Sequence, residues 1–357
     1  MKYYCSEIEK MVSKLDKKED VYIFDIPKNE EIYNLIWKKQ RKQHEQKNID
    51  NQLKWGKNRI FLLCALFGAG FNFHNDSIIL DVCSGLGRFS IAALERKAKF
   101  VISYDGSFNG LQNTADRIKM RRAPENYNEK GGMWVQDLDS RPSDLHSRFM
   151  YEPLIKLKDI ENLDKRHISI QGNINNIRDF FDEANLKADH IIYHMALQHT
   201  KDPLKTLSDL YHILKPGGRL AFNFFKKNTT PKITYDLRKY FLQLPAQLVF
   251  DAVEIIDELE HKNYNSIFHA LQKEKYLPIL KTLLFLSDNY SFEKIAAALH
   301  FEDLQTPYLH NLDFKWVKNY VKNNLGMEIK HEINMLPGMS GGTGLEPGSI
   351  CAEKRLR

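Results

Sequence analysis

The chain has few cysteines, and none of them form closely spaced pairs. Its four cysteines, Cys5, Cys64, Cys83 and Cys351, are scattered along 357 residues. Zinc-ribbon sites and disulfide scaffolds use regularly spaced cysteines, so this spacing argues against both classes. Isolated thiols of this kind favour a reducing compartment, and we expect the protein to be cytoplasmic.

Long apolar runs and an apolar leader are also missing. The first residues, MKYYCSEIEK, run directly into charge, so no signal peptide is expected. The longest apolar stretch, IFLLCALFGAGF at residues 60–71, is too short to span a bilayer and predicts a buried helix. We therefore expect no membrane association.

The chain has no strong excess of charge of either sign. Its 52 basic and 46 acidic residues give a net charge of +6, which selects neither nucleic acid nor an acidic small molecule as partner. The polar run KKQRKQHEQK at residues 38–47 is either an anion-binding patch or the solvated face of a helix, and the second interpretation is favoured. No basic-aromatic module is present, which argues against a nucleic-acid partner.

What the sequence does have is a regular alternation of strands and helices. Five strands separated by helices are predicted, at residues 77–81, 100–105, 168–171, 190–195 and 219–225. This order predicts an α/β fold with a mostly parallel sheet and helices on both faces. Two further strands near the C-terminus, joined by a glycine-rich turn, predict a terminal β-hairpin and a seven-stranded sheet.

The segments outside this alternation predict the domain organisation. We expect a polar insertion between the second helix and the third strand, and a helical insertion after the fifth strand. The predicted parts are an N-terminal helical lid segment (1–57), a core (58–235 and 325–357, with the insertion 121–166) and a helical substrate cap (236–324).

The stretch SIILDVCSGLGRFSIAA, residues 77–93, places a glycine turn between a strand and a helix. A dinucleotide site requires a third glycine that is absent after Gly85 and Gly87, and no P-loop is present. The carboxylate of Asp81 at the strand end would repel a pyrophosphate. A cationic nucleoside without phosphate, such as S-adenosylmethionine, meets no such repulsion.

Several ordered motifs over about residues 76–225 resemble the class I S-adenosylmethionine-dependent methyltransferases, which have a Rossmann-like sheet. ILDVCSGLGRF resembles the first motif of this family, with Cys83 where a glycine is common. ISIQGNI resembles the third motif. The segment from Ala188 to Phe222 is similar to the "vLHHtpDp…LKPGG" stretch of small-molecule methyltransferases, with Gln198 in place of the first histidine and His199 keeping the second.

The resemblance implies a set of residues that bind S-adenosylmethionine. Asp105 at the end of FVISYD would accept the two ribose hydroxyls, and Asn173 would meet the adenine amino group. The full set is Asp81, Cys83, Gly85, Gly87, Asp105, Gly106, Phe108, Asn173, Ile174 and His194. Other interpretations stay open: the two acids as turn residues, Phe108 as core and Asn173 as a helix cap.

Methyl transfer is an in-line displacement, in which the protein mainly positions the reactants. An oxygen or nitrogen acceptor also requires a base, for which His199 and His194 are the candidates. His199 could instead bond backbone at a helix start. The loosely similar segment 303–329 makes Tyr308 and His310 substrate-pocket candidates, alongside Tyr193 at the end of the fourth strand.

These features predict a methyltransferase for a secondary metabolite or sugar-type small molecule. No set of metal ligands occurs at this sheet edge, so no metal is predicted, and a homo-oligomer is left open. The N-terminal helix, with Trp37 and Trp55, is expected to close over the cofactor. The alternatives are a cofactor-binding regulatory protein, an RNA or protein methyltransferase and, third, a dehydrogenase.

Overall fold

The computed structural model describes residues 8–46, 77–95, 98–120, 165–225, 232–334 and 347–356. Three predictions fall outside these residues: the buried helix at 60–71, the position of Trp55 and nearly all of the insertion 121–166. The parts described include the predicted sheet, the glycine turn and the helices after the fifth strand.

One nine-stranded sheet organises the molecule, in the order β1-β2-β5-β4-β3-β6-β7-β9-β8. The strands are β1 (Asp16–Lys18), β2 (Val21–Ile23), β3 (Ile78–Val82), β4 (Phe100–Asp105), β5 (His167–Gln171), β6 (Ala188–His194), β7 (Leu214–Phe225), β8 (Glu328–Asn334) and β9 (Pro347–Glu353). Strands β2 to β7 pair in parallel, whereas β1 and β9 pair antiparallel with their neighbours. The predicted mostly parallel α/β fold is confirmed.

The predicted number of seven strands is wrong, because the N-terminal segment adds two. Residues 16–23 form a hairpin, and its second strand pairs in parallel with β5, with Val21 opposite Ser169. This pairing covers the edge of β5, which would otherwise present unpaired backbone groups. The charged letters DKKEDVYI gave no alternating apolar pattern from which the hairpin could be predicted.

Helices connect the parallel strands and cover both faces of the sheet. They are α1 (Glu30–Gln46), α2 (Arg88–Glu95), α3 (Phe108–Met120), α4 (Ile177–Glu183) and α5 (Pro203–Ile213). The centre of the sheet is apolar, and all five residues of β3 are buried. Side chains of β3 alternate between two hydrophobic clusters, with Leu80 in one and Ile79 in the other.

After β7 the chain forms a body of short helices. These are α6 (Lys232–Phe241), α7 (Ala246–Asp257), α8 (Tyr264–Leu271), α9 (Leu277–Ser287), α10 (Phe292–Ala297) and α11 (Phe301–Gln305). They share a hydrophobic cluster of their own, which also includes Leu35 and Ile36 of α1. Helix α1 therefore packs with this helical body, called the cap below.

The chain returns from the cap to the sheet through α12 (Phe314–Asn319), whose first turn is capped by Asp313. β8 and β9 then complete the sheet as an antiparallel pair, as predicted. Among the helices described, none combines the length and the apolarity needed to cross a membrane.

Candidate active site

The turn between β3 and α2 has a left-handed backbone at three positions. Cys83, Gly85 and Gly87 have φ values of 53°, 54° and 66°. Glycine adopts this region without steric cost, whereas an ordinary L-residue loses about 1–2 kcal/mol there. Cys83 therefore has a left-handed backbone conformation that glycine adopts more easily, and glycine is common at this position in the class I methyltransferases that the sequence resembles.

Close packing above the turn also requires its glycines. A Cβ atom at Gly85 would lie 2.2 Å from the Trp37 ring, and one at Gly87 would lie 2.1 Å from the Thr114 methyl group. The backbone of the turn is thus enclosed by α1 on one side and α3 on the other.

Asp81, the next-to-last residue of β3, is a buried carboxylate with one oxygen that is hydrogen-bonded. Its Oδ2 accepts hydrogen bonds from the backbone N–H (2.8 Å) and the hydroxyl (2.6 Å) of Ser90. Its Oδ1 is buried and has no partner among the described residues. Burial raises the pKa of Asp81 to about 7. A buried, unpaired carboxylate oxygen is costly unless a ligand satisfies it.

Asp105 ends the neighbouring strand β4 and joins it to the glycine turn. Its Oδ2 accepts from the Gly85 N–H at 2.9 Å, and its Oδ1 accepts from the Ser107 N–H at 2.8 Å. Burial raises its pKa to about 6, against the lowering effect of these backbone donors. Each carboxylate oxygen has a second lone pair, so the group keeps the capacity to accept two further hydrogen bonds.

Helix α1 lies directly over these groups. Asn34 accepts hydrogen bonds from the Ser107 hydroxyl (2.8 Å) and the Asn109 N–H (3.1 Å), which ties α1 to the start of α3. A Cβ atom at Gly106 would lie 3.1 Å from Tyr33. Burial raises the pKa of the Tyr33 phenol, and the charge of Asp105 raises it further.

Because Trp37 covers the turn, we expect its fluorescence to report on ligands there. Adding S-adenosylhomocysteine should change the emission of the wild-type protein, since the ligand alters the surroundings of an indole packed on Gly85. Trp37→Phe should remove most of this change. Trp316→Phe, which replaces a 48% exposed indole on α12, is the control and should retain it. An unchanged signal in Trp37→Phe would contradict the contact.

The residues assigned to adenine have local contacts of their own. Asn173 uses its side-chain oxygen to accept from the N–H of Asn175 at 3.0 Å, which caps the short 3₁₀ turn at Ile174–Asn176. The ring of Phe108 lies 4.5 Å from the Lys18 ammonium group. Their roles at adenine stay predictions.

The two residues at the end of β6 point to opposite faces of the sheet. Tyr193 is 0% exposed and belongs to the hydrophobic core, which separates it from solvent. His194 lies against Phe89 of α2, with ring centroids 4.8 Å apart. The Tyr193 hydroxyl lies near Thr200, the residue that follows His199, and burial raises the pKa of this phenol well above its usual value.

His199 lies in the loop after β6 and faces the cap. Its Nδ1 lies 3.2 Å from the Tyr308 carbonyl oxygen and 3.1 Å from the Thr306 hydroxyl, which itself donates to the Glu302 carbonyl. A carbonyl oxygen can only accept, so Nδ1 carries the proton and Nε2 of the neutral ring is a free acceptor. Nε2 is buried and has no hydrogen-bond partner among the described residues.

Two acids of α11 lie next to this nitrogen. His199 Nε2 is 3.6 Å from Glu302 Oε1 and 3.9 Å from Asp303 Oδ1. Partial burial, together with the charge of Asp105, raises the pKa of Glu302 to about 7. Burial lowers the pKa of His199, while Asp303 opposes this effect.

Sequence reasoning missed Glu302 and Asp303. The signal available was an acidic pair inside the otherwise apolar cap segment AAALHFEDL, but a helix surface pattern of this kind is usually solvated. Arg238 of α6 fixes the end of α11 by donating to the Asp303 carbonyl oxygen at 2.7 Å.

The substrate candidates Tyr308 and His310 follow α11. His310 donates its backbone N–H to the Gln198 carbonyl and its Nε2 proton to the Thr200 carbonyl, both at 2.9 Å. It therefore anchors the 306–310 segment to the loop that carries His199. Tyr308 is 37% exposed and its ring stacks on His310.

Charges link the cap residues to the glycine turn. The carboxylates of Asp105, Asp81 and Glu302 all raise the pKa of the Cys83 thiol, after burial, which is the largest cause. The loop that carries His199 follows the carboxyl end of β6, which pairs in parallel with β3. Glu302 lies 3.6 Å from His199, and His310 bonds to the same loop, so these residues lie at the sheet edge where β3 and β4 carry Asp81 and Asp105.

This edge fits S-adenosylmethionine. The unpaired Oδ1 of Asp81 can meet a cation, the carboxylate of Asp105 can accept a diol, and neither favours a phosphate. A parallel sheet in this order, with a glycine turn between two strand-end acids, defines the Rossmann-like class I S-adenosylmethionine-dependent methyltransferases.

Comparison with known families agrees with this class. The family model described as a methyltransferase domain matches residues 54–272, which is more than half of the chain. The chain therefore belongs to this methyltransferase family, and the protein is an S-adenosylmethionine-dependent methyltransferase. No curated protein matched the chain.

Solved structures of methyltransferases show a distant similarity. An O-methyltransferase family protein from Burkholderia thailandensis has 12% identity and a TM-score of 0.38, with 86% of this chain and 58% of that one covered. A putative methyltransferase from Listeria monocytogenes has 15% identity and a TM-score of 0.40, covering 83% and 98%. One from Methanosarcina mazei has 15% identity and a TM-score of 0.38, covering 80% and 96%. Since these TM-scores are below 0.5, the family assignment rests on the family model alone.

Proposed function

We propose that the protein methylates an oxygen or nitrogen atom of a small molecule, with His199 as the base. The observation that carries this proposal is the buried, unpartnered Nε2 of His199, held in its acceptor form beside Glu302 at the cofactor edge. A base in this state can take the proton that an O–H or N–H acceptor loses on methylation.

S-adenosylmethionine, when bound, supplies an activated methyl group that is transferred in line to the acceptor. His199 Nε2 accepts the acceptor's proton as the new bond to carbon forms, and the ring becomes an imidazolium. Glu302 and Asp303, at 3.6 and 3.9 Å, stabilise that positive charge. The fixed contact of Nδ1 with Tyr308 keeps the ring oriented throughout.

The segments that lie over this edge of the sheet favour a small molecule as the methyl acceptor. Helix α1 lies over the glycine turn, and α11 with residues 306–310 lies over His199. A substrate between them must fit beneath these segments, which suits a small molecule better than a folded macromolecule. The isolated cysteines support a cytoplasmic location as part of the same proposal.

The proposal is tested by following a labelled methyl group. The protein is incubated with S-adenosylmethionine carrying a tritiated methyl group and with a cell extract, which is then separated into small molecules, nucleic acids and proteins. We expect the label in the small-molecule fraction, together with S-adenosylhomocysteine. Label in RNA or protein would overturn the small-molecule assignment. Binding without any S-adenosylhomocysteine formation would instead favour a regulatory role.

A further inference from the structure

A chain of hydrogen-bonded side chains runs through the buried face of the sheet and ends at Asp81. Asp81 Oδ2 lies 2.6 Å from the Ser90 hydroxyl, which lies 2.6 Å from the Ser103 hydroxyl. The Ser103 hydroxyl in turn lies 2.8 Å from Nε2 of His167. The chain thus crosses from β3 through α2 and β4 to β5.

The position of the chain follows from the strand register. Asp81 pairs with Ser103 and Ser103 pairs with Ser169, so their side chains share one face of the sheet. His167, two residues before Ser169 on β5, lies on that face as well. Ser90 and Ser103 are 0% exposed and Asp81 is 1% exposed, whereas His167 is half-buried.

The direction of the hydrogen bonds follows from the carboxylate at one end. An ionised Asp81 can only accept, so Ser90 uses its single proton toward Asp81. Ser90 then accepts from Ser103, and Ser103 accepts from the Nε2–H of His167. Burial lowers the pKa of His167 to about 3, so its ring is neutral at neutral pH.

We propose that Ser103 and His167 are positioning residues for the cofactor, acting through Ser90 on Asp81. Every hydrogen bond in the series from His167 to Asp81 is donated in the direction of Asp81 Oδ2. The bonds from Ser90 therefore occupy Oδ2 and fix the plane of the Asp81 carboxylate. The unpaired Oδ1 is then left for the α-ammonium group of the cofactor. This inference rests on the proposed cofactor chemistry. It adds to the cofactor site Ser103 and His167, which lie about 20 and 80 positions after the glycine turn in the sequence.

The charge state of Asp81 makes this role measurable. Hydrogen bonds from Ser90 lower the pKa of Asp81, against burial, which raises it. Among the side chains that the structure describes, the other titratable groups near Asp81 are Asp105 of β4 and the Cys83 thiol, while His190 and His194 of β6 lie on the same face of the sheet as Asp81. None of these groups bonds to Ser103, so removing the Ser103 hydroxyl changes the pKa of Asp81 without breaking a hydrogen bond of the other titratable groups.

The affinity for the cofactor depends on pH through the charge of Asp81. The ionised form of Asp81 binds the ammonium group, so affinity is full above the pKa of Asp81 and declines as the pH falls through it. Without Ser103 or His167 the hydroxyl of Ser90 is a weaker donor, and the pKa of Asp81 rises. The decline in affinity then begins at a higher pH.

The test measures the affinity for S-adenosylhomocysteine by calorimetry between pH 5.5 and 9. We expect Ser103→Ala and His167→Phe to raise the midpoint of the pH profile by roughly half a unit to one unit, the effect of weakening one hydrogen bond to a charged group. His167→Gln keeps an N–H donor and should retain the wild-type midpoint. Ser169→Ala is the matched control, because this buried serine donates instead to the Leu111 carbonyl.

Failure of the positioning role and failure of the cofactor assignment give different results. An unshifted midpoint in both Ser103→Ala and His167→Phe would overturn the positioning role, as would a shift of the same size in Ser169→Ala. If Ser103→Ala does not fold, the comparison of His167→Gln with His167→Phe decides the question alone. A wild-type protein that binds no S-adenosylhomocysteine at any pH would contradict the cofactor assignment itself.

Discussion

Replacement of Asp105 by alanine is expected to abolish measurable binding of S-adenosylhomocysteine. The carboxylate holds the glycine turn by accepting from the Gly85 N–H and has two lone pairs left for a ribose diol. Losing two charge-assisted hydrogen bonds to a ligand weakens binding roughly a hundredfold or more. Calorimetry should therefore detect no heat of binding at ligand concentrations that saturate the wild-type protein.

Two controls make this result specific to the ribose contact. Asp16→Ala removes a carboxylate from the exposed strand β1 and should bind like the wild type. Asp105→Asn keeps the shape of the side chain and one acceptor oxygen, but its amide nitrogen opposes one of the two backbone N–H groups that Asp105 accepts from, so this variant should bind weakly. Thermal unfolding shows whether each variant is folded. Unchanged affinity in a folded Asp105→Ala would mean that another residue holds the ribose.

Much of the sheet and its cofactor edge could be predicted because their signals are local. The apolar run of β3, the acid at its end and the glycine turn are contiguous in sequence, and each is dictated by strand burial or backbone conformation. The parallel pairing of these strands was predicted from the helices that alternate with them, whereas the order of the strands in the sheet was not. The hairpin at residues 16–23 was missed because its stability comes from pairing with β5, a contact across about 150 residues.

The acceptor side could be predicted only in part, because its geometry comes from contacts between distant segments. His199 was identified from its motif, but its tautomer depends on the Tyr308 carbonyl, more than a hundred residues away. Nothing local shows that Glu302 faces a histidine rather than solvent. Glu302 faces His199 because His310 anchors residues 306–310 to the loop that carries His199, and this contact exists only in the folded chain.

His199→Ala is expected to lower kcat for methyl transfer by roughly 10²–10⁴-fold, the usual contribution of a positioned general base. Binding of S-adenosylhomocysteine should be unchanged within about twofold, because His199 contacts the cap rather than the glycine turn. The measurement is the initial rate of S-adenosylhomocysteine formation with the small-molecule fraction that accepts the label. His212→Ala, which removes a surface histidine bonded to Asp182, is the matched control.

The pH dependence of the same reaction distinguishes a base from a structural histidine. His199 must be neutral to accept a proton, and burial lowers its pKa, so its charging limits the rate only below the usual histidine range. Glu302, whose pKa is raised to about 7, stabilises the imidazolium only when ionised. At saturating S-adenosylmethionine, where the titration of Asp81 does not limit binding, the rate should therefore fall as the pH drops through 7, and Glu302→Gln should remove this limb while lowering the plateau. An unchanged limb in Glu302→Gln would exclude Glu302 as the group that titrates, and a fully active His199→Ala would exclude His199 as the base.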